Sequence, residues 1–144
     1  MLERQQQLVV DTLGEADGVV LIDESGVVKQ GHDSVGVTPQ YCGAVGKVAN
    51  CQIEAHLGYA SRGSYTLLDT ALYLPEAWCT ATATERRAQC GVPPTVTFQT
   101  KPQLTLALVQ ALVRRNHVSF TQFCRHKIMR RVVVVETAVH RQLG

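Results

Sequence analysis

The stretch that decides the fold is VVLIDESGVVKQG, from Val19 to Gly31. Four aliphatic residues, Val19–Ile22, lead directly into Asp23 and Glu24. A continuous aliphatic run predicts a strand that is buried on both faces. A carboxylate at the end of such a strand is held rigidly, in a place where a hard cation such as Mg²⁺ finds oxygen ligands. The same pattern also fits an ordinary strand followed by a solvated acidic turn, so this stretch alone leaves both interpretations open.

Length and composition indicate one globular domain. The chain has 144 residues, of which 45% are hydrophobic and 18% are charged, and this balance excludes wholesale disorder. No apolar run approaches the ~20 residues that span a bilayer. The polar start, Met1–Gln7, lacks the apolar core of a signal peptide. The five cysteines are widely spaced without a Cys-x-x-Cys pair, which favours free thiols and a cytoplasmic location.

The periodicity of the apolar residues predicts a mixed α/β fold. Alternation of apolar and polar residues predicts a hairpin, and stripes with helical spacing predict two main helices. The predicted segments are a helix over Glu3–Leu13, a loop over Glu24–Gln40, strands over Asn50–Ala60 and Tyr65–Leu74, a short helix within Glu76–Gly91, a helix from Thr100 to about Asn116, and strands over Val118–Phe123 and Val132–Val135. The predicted core comprises Val19–Ile22, the inward face of Cys51–Tyr59, Leu67, Leu72 and the stripe Leu104, Leu108 and Leu112.

Several segments, in order, resemble the insertion-sequence transposases with a DDE catalytic domain, also called DDE superfamily endonucleases. The resemblance extends from about Leu8 to about Phe120. The segments are DESG at Asp23–Gly26, KQG at Lys29–Gly31, SVGV at Ser34–Val37, QYCGAVGK at Gln40–Lys47, NCQI at Asn50–Ile53 and ALYLPEAW at Ala71–Trp78. The resemblance implies a partial RNase H-like fold: a mixed sheet with an antiparallel hairpin and covering helices.

The resemblance also implies a chemistry and a site. The family cleaves and joins DNA strands at transposon ends with Mg²⁺ or Mn²⁺, and the first strand presents the first catalytic aspartate, here Asp23. By the same resemblance, a second aspartate is expected after the strand Val118–Phe123. The residues there are instead Cys124-Arg125-His126-Lys127, and no aspartate follows Asp69.

These departures predict a fragment. Residues 1–122 would form the N-terminal part of a DDE catalytic domain, and residues 123–144 would be a divergent basic tail produced by a frameshift. The expected function is that of a transposase fragment without activity of its own. The alternatives are a remnant that binds DNA or inhibits an intact transposase, and a poorly folded fragment.

The surroundings of other charged and aromatic residues in the sequence predict their roles. Contacts with DNA phosphates are predicted for Lys29, Lys47, Arg62 and Lys101, against the alternative of ordinary surface charges. Glu24 is expected to face solvent, because alternation turns it away from Asp23. Asp69 is expected to pair with an arginine. Glu136 follows an aliphatic run by coincidence, and Tyr41 and Trp78 could stack on bases but more often anchor a core or a loop.

Overall fold

The computed structural model describes residues 2–115, residue 120 and residues 122–125. Within these ranges the chain forms three α-helices, five strands and two short 3₁₀ turns at Glu76–Trp78 and Ala81–Ala83. The helices and strands, in chain order, are α1 Leu2–Leu13, β1 Val19–Val28, β2 Thr38–Cys42, β3 Lys47–Ala60, β4 Tyr65–Leu72, α2 Thr84–Gln89, α3 Lys101–Arg115 and β5 Gln122–Arg125.

The five strands form one mixed sheet with β1 in its interior. β3 pairs antiparallel with β1 along one edge, and with β2 and then β4 along the other. β5 lies on the far side of β1 and runs parallel to it. The predicted mixed α/β fold, with an antiparallel hairpin and an acid on a central strand, is confirmed.

Local sequence explains where the helices begin. At the start of α3, the backbone N–H of Gln103 points to Thr100 Oγ1 at 3.4 Å, and Gln103 Oε1 accepts the Thr100 N–H at 2.8 Å. This reciprocal arrangement satisfies donors that the first helical turn leaves without partners. Both α1 and α3 begin and end within one or two residues of the predicted bounds.

The core lies on one face of the sheet, beneath α1 and α3. Alternate residues of β3 point to this face and are buried, and side chains from both helices meet them there. The buried cluster contains Val9, Val20, Ala55, Leu57, Tyr59, Leu68, Leu108, Val109 and Leu112. We call this side the helix face and the opposite side the outer face. The predicted stripe on α3 is confirmed, with Leu108 and Leu112 buried and Leu104 packed at the margin.

Two predicted core residues, Leu67 and Leu72, lie on the outer face instead, opposite Gly58 and Glu54 respectively, and neither belongs to the buried core. Leu67 is 44% exposed, whereas its neighbour Leu68 is fully buried. The cause is an irregularity in the β3–β4 ladder: Leu57 pairs with Asp69 and Gly58 pairs with Leu67, so Leu68 is an extra residue. Because a β-bulge inserts one residue, it reverses the alternation beyond it.

The prediction that Val19–Ile22 is buried on both faces was also wrong. Only Val20 is fully buried, and its neighbours are partly exposed. The predicted loop over Glu24–Gln40 is partly strand, since β1 continues to Val28 and β2 begins at Thr38. Gly26 lets β1 continue past Cys42 without a clash. Any other residue there would place its Cβ 2.7 Å from Cys42 Sγ. Tertiary packing therefore extends the strand through residues that favour turns.

Candidate functional site at the end of the central strand

Asp23 projects from the outer face of β1, where its carboxylate is exposed. Its Oδ1 accepts a hydrogen bond of 2.8 Å from the backbone N–H of Glu24, which holds the side chain close to the strand. Directly across the ladder lies His56 of β3. Because directly opposed residues share a face, the imidazole and the carboxylate are neighbours on the outer face.

A row of polar side chains crosses the outer face beside Asp23. His56 Nε2 lies 2.7 Å from Ser25 Oγ on β1, and His56 Nδ1 lies 2.9 Å from Thr70 Oγ1 on β4. Glu54 Oε2 is 3.8 Å from the same Nε2. The imidazole thus joins three strands. The alternation of Glu54 and His56 could have revealed their common face, but the pairing of His56 with Asp23 required the strand register.

Glu24 points to the helix face and is engaged there. Its Oε2 lies 3.3 Å from Lys101 Nζ at the start of α3, and the Glu24 side chain is only 14% exposed. Lys101 Nζ also lies 5.4 Å from the centre of the Tyr73 ring. The prediction that Glu24 faces solvent was wrong, because the docked helix supplies a cationic partner. Alternation does separate Glu24 from Asp23, so the two carboxylates cannot share one ion.

β5 occupies the position where the family pattern expects the second acid. Its backbone lies parallel to β1, with Ile22 opposite Arg125. The pairing of β1 with β5 therefore reaches the residue directly before Asp23. The residues after Arg125 lie outside the described part of the chain. The predicted strand over Val118–Phe123 overlaps β5 at Gln122 and Phe123, and most of its other residues lie outside the described residues.

Asp69 belongs to the core and not to the Asp23 site. It is 8% exposed and lies on the helix face, opposite Leu57. Its Oδ2 is 3.4 Å from Arg115 Nη1, at the end of α3. The predicted pairing of Asp69 with an arginine is confirmed. A buried carboxylate already bound to a guanidinium is unavailable as a ligand for a cation.

The four basic residues predicted to contact DNA lie in separate places. Arg62 follows β3, where its guanidinium contacts Asp17 Oδ2 through Nη2 at 2.7 Å and Nε at 3.1 Å. This hydrogen-bonded arginine lowers the pKa of the Asp17 carboxyl. Lys47 opens β3 at the opposite end, about 40 Å away at ~3.3 Å per residue. Lys29 lies near Lys47, and Lys101 is paired with Glu24, so the four do not form one patch.

The remaining predictions concern the aromatic residues Trp78 and Tyr41 and the acid Glu136. Trp78 is 1% exposed and its Nε1 donates a 2.8 Å hydrogen bond to the Val37 carbonyl, so it anchors a loop. Tyr41 is 56% exposed. Glu136 and the strand predicted over Val132–Val135 lie outside the described residues.

The sheet, its covering helices and the carboxylate on β1 beside the end of the β1–β5 pairing define a nuclease-like α/β domain. The family model described as "DDE superfamily endonuclease" matches residues 2–123, and the chain belongs to this family. No curated protein and no solved structure gave a significant match. In the part of the chain that the structure describes, no helix is long and apolar enough to cross a membrane.

DDE endonucleases generally depend on divalent metals, so the fit of this chain to a metal can be tested on its own side chains. Among residues 2–115, no group of three or more histidine, cysteine, aspartate or glutamate side chains could hold a metal ion. Asp23 stands at the expected position, but Glu24 and Asp69 face the other side of the sheet. The residues in this part of the chain therefore do not fit a metal pair.

Proposed function

We propose that this chain carries the N-terminal part of a DDE transposase catalytic domain and does not cleave DNA by itself. The observation that carries the proposal is the arrangement of the two parallel strands. β1 presents Asp23 directly after Ile22, which pairs with Arg125 of β5. In the sequence, Cys124-Arg125-His126-Lys127 stand where the family pattern expects a second carboxylate, and basic residues repel a cation instead of binding it.

The charge required for two-metal chemistry supports the same conclusion. In two-metal cleavage of a phosphodiester, two cations ~3.5–4 Å apart stabilise the attacking oxygen and the leaving oxygen. Several carboxylates are needed to offset the charge of the two cations. Of the other acids, Glu24 is paired with Lys101 on the helix face. Asp69 is paired with Arg115 in the core. Asp23 alone would leave most of a magnesium shell as water, so we expect weak binding.

We assign residues 1–122 to the DDE domain and residues 123–144 to a basic tail that arose by frameshift. Support comes from the end of the family match at residue 123 and from the run of basic residues beyond it. The test is to translate the neighbouring nucleotides in the other two frames. If neither frame encodes Asp-Glu followed by Tyr-Gly near codon 123, the frameshift is refuted.

A nicking assay tests the absence of catalysis. The purified chain is incubated with DNA that carries the element's own ends, in Mg²⁺ or in Mn²⁺, beside an Asp23→Asn variant. We expect both proteins to give the same background. Strand cleavage that disappears in Asp23→Asn would contradict the proposal. It would mean that a residue outside the described part, or a second copy of the chain, supplies the missing ligand.

A metal titration followed by NMR tests the role of Asp23 separately from activity. Mg²⁺ should shift the amide signals of residues 22–25 first, with weak affinity, because a single carboxylate anchors the ion. The Asp23→Asn variant should lose these shifts. Larger shifts at Glu54 and His56 than at Asp23 would show that the ion prefers the neighbouring polar row.

A second candidate function is DNA binding without cleavage, with inhibition of an intact transposase as its consequence. It is favoured by Lys29 and Lys47, which lie at one end of the sheet, away from the ion pairs of the described residues. Binding should weaken steeply with salt, because released counterions drive it. Adding the chain to an active transposase should then slow cleavage in proportion to the DNA it occupies. We also propose a cytoplasmic location. It is supported by the four described cysteines, all of which are free thiols, as is usual in a reducing compartment.

A further inference from the structure

The hairpin formed by β2 and β3 extends beyond the rest of the sheet as a two-stranded ribbon. The last pair between β1 and β3 is Val28 with Cys51, followed by one hydrogen bond of 2.9 Å from Lys29 N to Asn50 O. On the N-terminal side of Asn50, from Lys47 to Ala49, β3 pairs with β2 alone, and the last pair is Lys47 with Cys42. The ribbon thus ends in a free tip at residues 43–46.

Apolar side chains are exposed on this ribbon and beside it. Tyr41 and Val48 oppose each other across the ladder, so both lie on the outer face, and Val27 of β1 follows on the same face. With Val45 at the tip, these side chains are between 45% and 66% exposed. Exposed apolar groups that cluster on one element typically mark a surface that meets a partner.

The charge of this region favours an anionic partner. No aspartate or glutamate occurs between Asp33 and Glu54, whereas Lys47 lies on the ribbon and Lys29 at its base. Neither ammonium takes part in an ion pair with a residue of the described chain. By contrast, Arg62 and Lys101 form ion pairs with Asp17 and Glu24, respectively.

We infer that the β2–β3 ribbon is the DNA-contacting element of this chain and lies in the major groove of a duplex. The inference rests on the proposed function and deepens it. Strands of a ribbon lie ~4.8 Å apart. The major groove, ~12 Å wide, admits such a two-stranded ribbon. Tyr41 and Val48 face the base edges, where an aromatic or apolar side chain meets bases and thymine methyl groups. Lys29 and Lys47 contact phosphates on the flanks.

The inference predicts which residues matter and which do not. The chain is titrated with a fluorescent duplex of the element's end at several salt concentrations. The double variant Lys29→Ala/Lys47→Ala should lower the slope of log affinity against log salt by about 2, since each phosphate contact contributes ~0.9. The matched control is the double variant Arg62→Ala/Lys101→Ala, which removes the same two charges from residues paired with Asp17 and Glu24 and should leave the slope unchanged.

The aromatic contact has its own matched pair. Tyr41→Ala should weaken duplex binding about tenfold, because the contact of its ring with base edges and thymine methyl groups is lost. Tyr65→Ala removes a tyrosine that is 83% exposed on the outer face at the far end of the sheet, and it should have no effect. A minor-groove ligand such as netropsin should leave binding unchanged. Thermal unfolding of each variant ensures that only folded proteins are compared.

The outcomes separate this inference from the proposed function. Binding that ignores Tyr41 and the two lysines but weakens in Arg62→Ala or Lys101→Ala overturns the inference and leaves DNA binding in place. A complete lack of duplex binding overturns the inference too, while the nicking assay still decides the catalytic proposal. If Tyr41→Ala instead abolishes dimers in analytical ultracentrifugation with DNA affinity unchanged, the ribbon is an interface between two copies, and the inference is wrong.

Discussion

Docking of α3 on the sheet can be tested by replacing Leu108 with alanine. Leu108 is 9% exposed and packs in the cluster that contains Leu57 and Leu68. Removing three methylene-sized groups there loses their burial and leaves a cavity, and such changes cost ~2–5 kcal/mol. Because Leu108 lies at the edge of full burial, we expect the middle of that range. Urea unfolding followed by circular dichroism gives the free energy of unfolding directly.

The same helix supplies a control with identical chemistry. Leu106 is 45% exposed and is not part of the buried cluster. Leu106→Ala changes helix propensity by the same small amount, so the difference between the variants isolates the buried contact. We expect Leu106→Ala to cost less than ~1 kcal/mol, because only about half of the side chain leaves water. Equal effects of the two substitutions would refute the docking of α3 through this face.

Two further predictions concern the strands and the turn at the far end of the sheet. Gly26→Ala should destabilise the fold, because the new Cβ would lie 2.7 Å from Cys42 Sγ, whereas Gly31→Ala, with nothing within 4 Å, should be nearly neutral in the same urea assay. Equal midpoints would show that Cys42 moves aside. Arg62→Ala should raise the pKa of Asp17 to its ordinary value, as measured by NMR titration of its carboxyl carbon. The folded-state pKa is lowered, so the pair stabilises above the ordinary carboxyl pKa and is lost as pH falls; an unchanged pKa in the variant would contradict the contact.

Local features of the sequence were enough for much of the fold. The aliphatic run before Asp23 identified a central strand, and period-two alternation identified the long strand β3. The capping residue Thr100 and Pro102 in the first turn placed the start of α3 within one residue, because the hydrogen bonds of a helix cap involve only neighbours along the chain. The family resemblance also came from contiguous segments, and the family match covers the same part of the chain.

Errors arose where distant residues decide the outcome. No local signal marks Leu68 as the extra residue of a bulge, since the irregularity exists only relative to β3. Strand propensity at Gly26 is low, but pairing with Ile53 of β3 overrides it. In both cases a contact between residues far apart in sequence determined the local structure.

The candidate site divides in the same way. The sequence by itself determined that a carboxylate, Asp23, directly follows the aliphatic run of the central strand, and that basic residues stand where a second acid is expected. Only the tertiary structure decided that His56 lies opposite Asp23, and that Lys101 binds Glu24 on the other face. The physical reason is that alternation along a strand tells which residues share a face, whereas register and helix docking determine what each face meets.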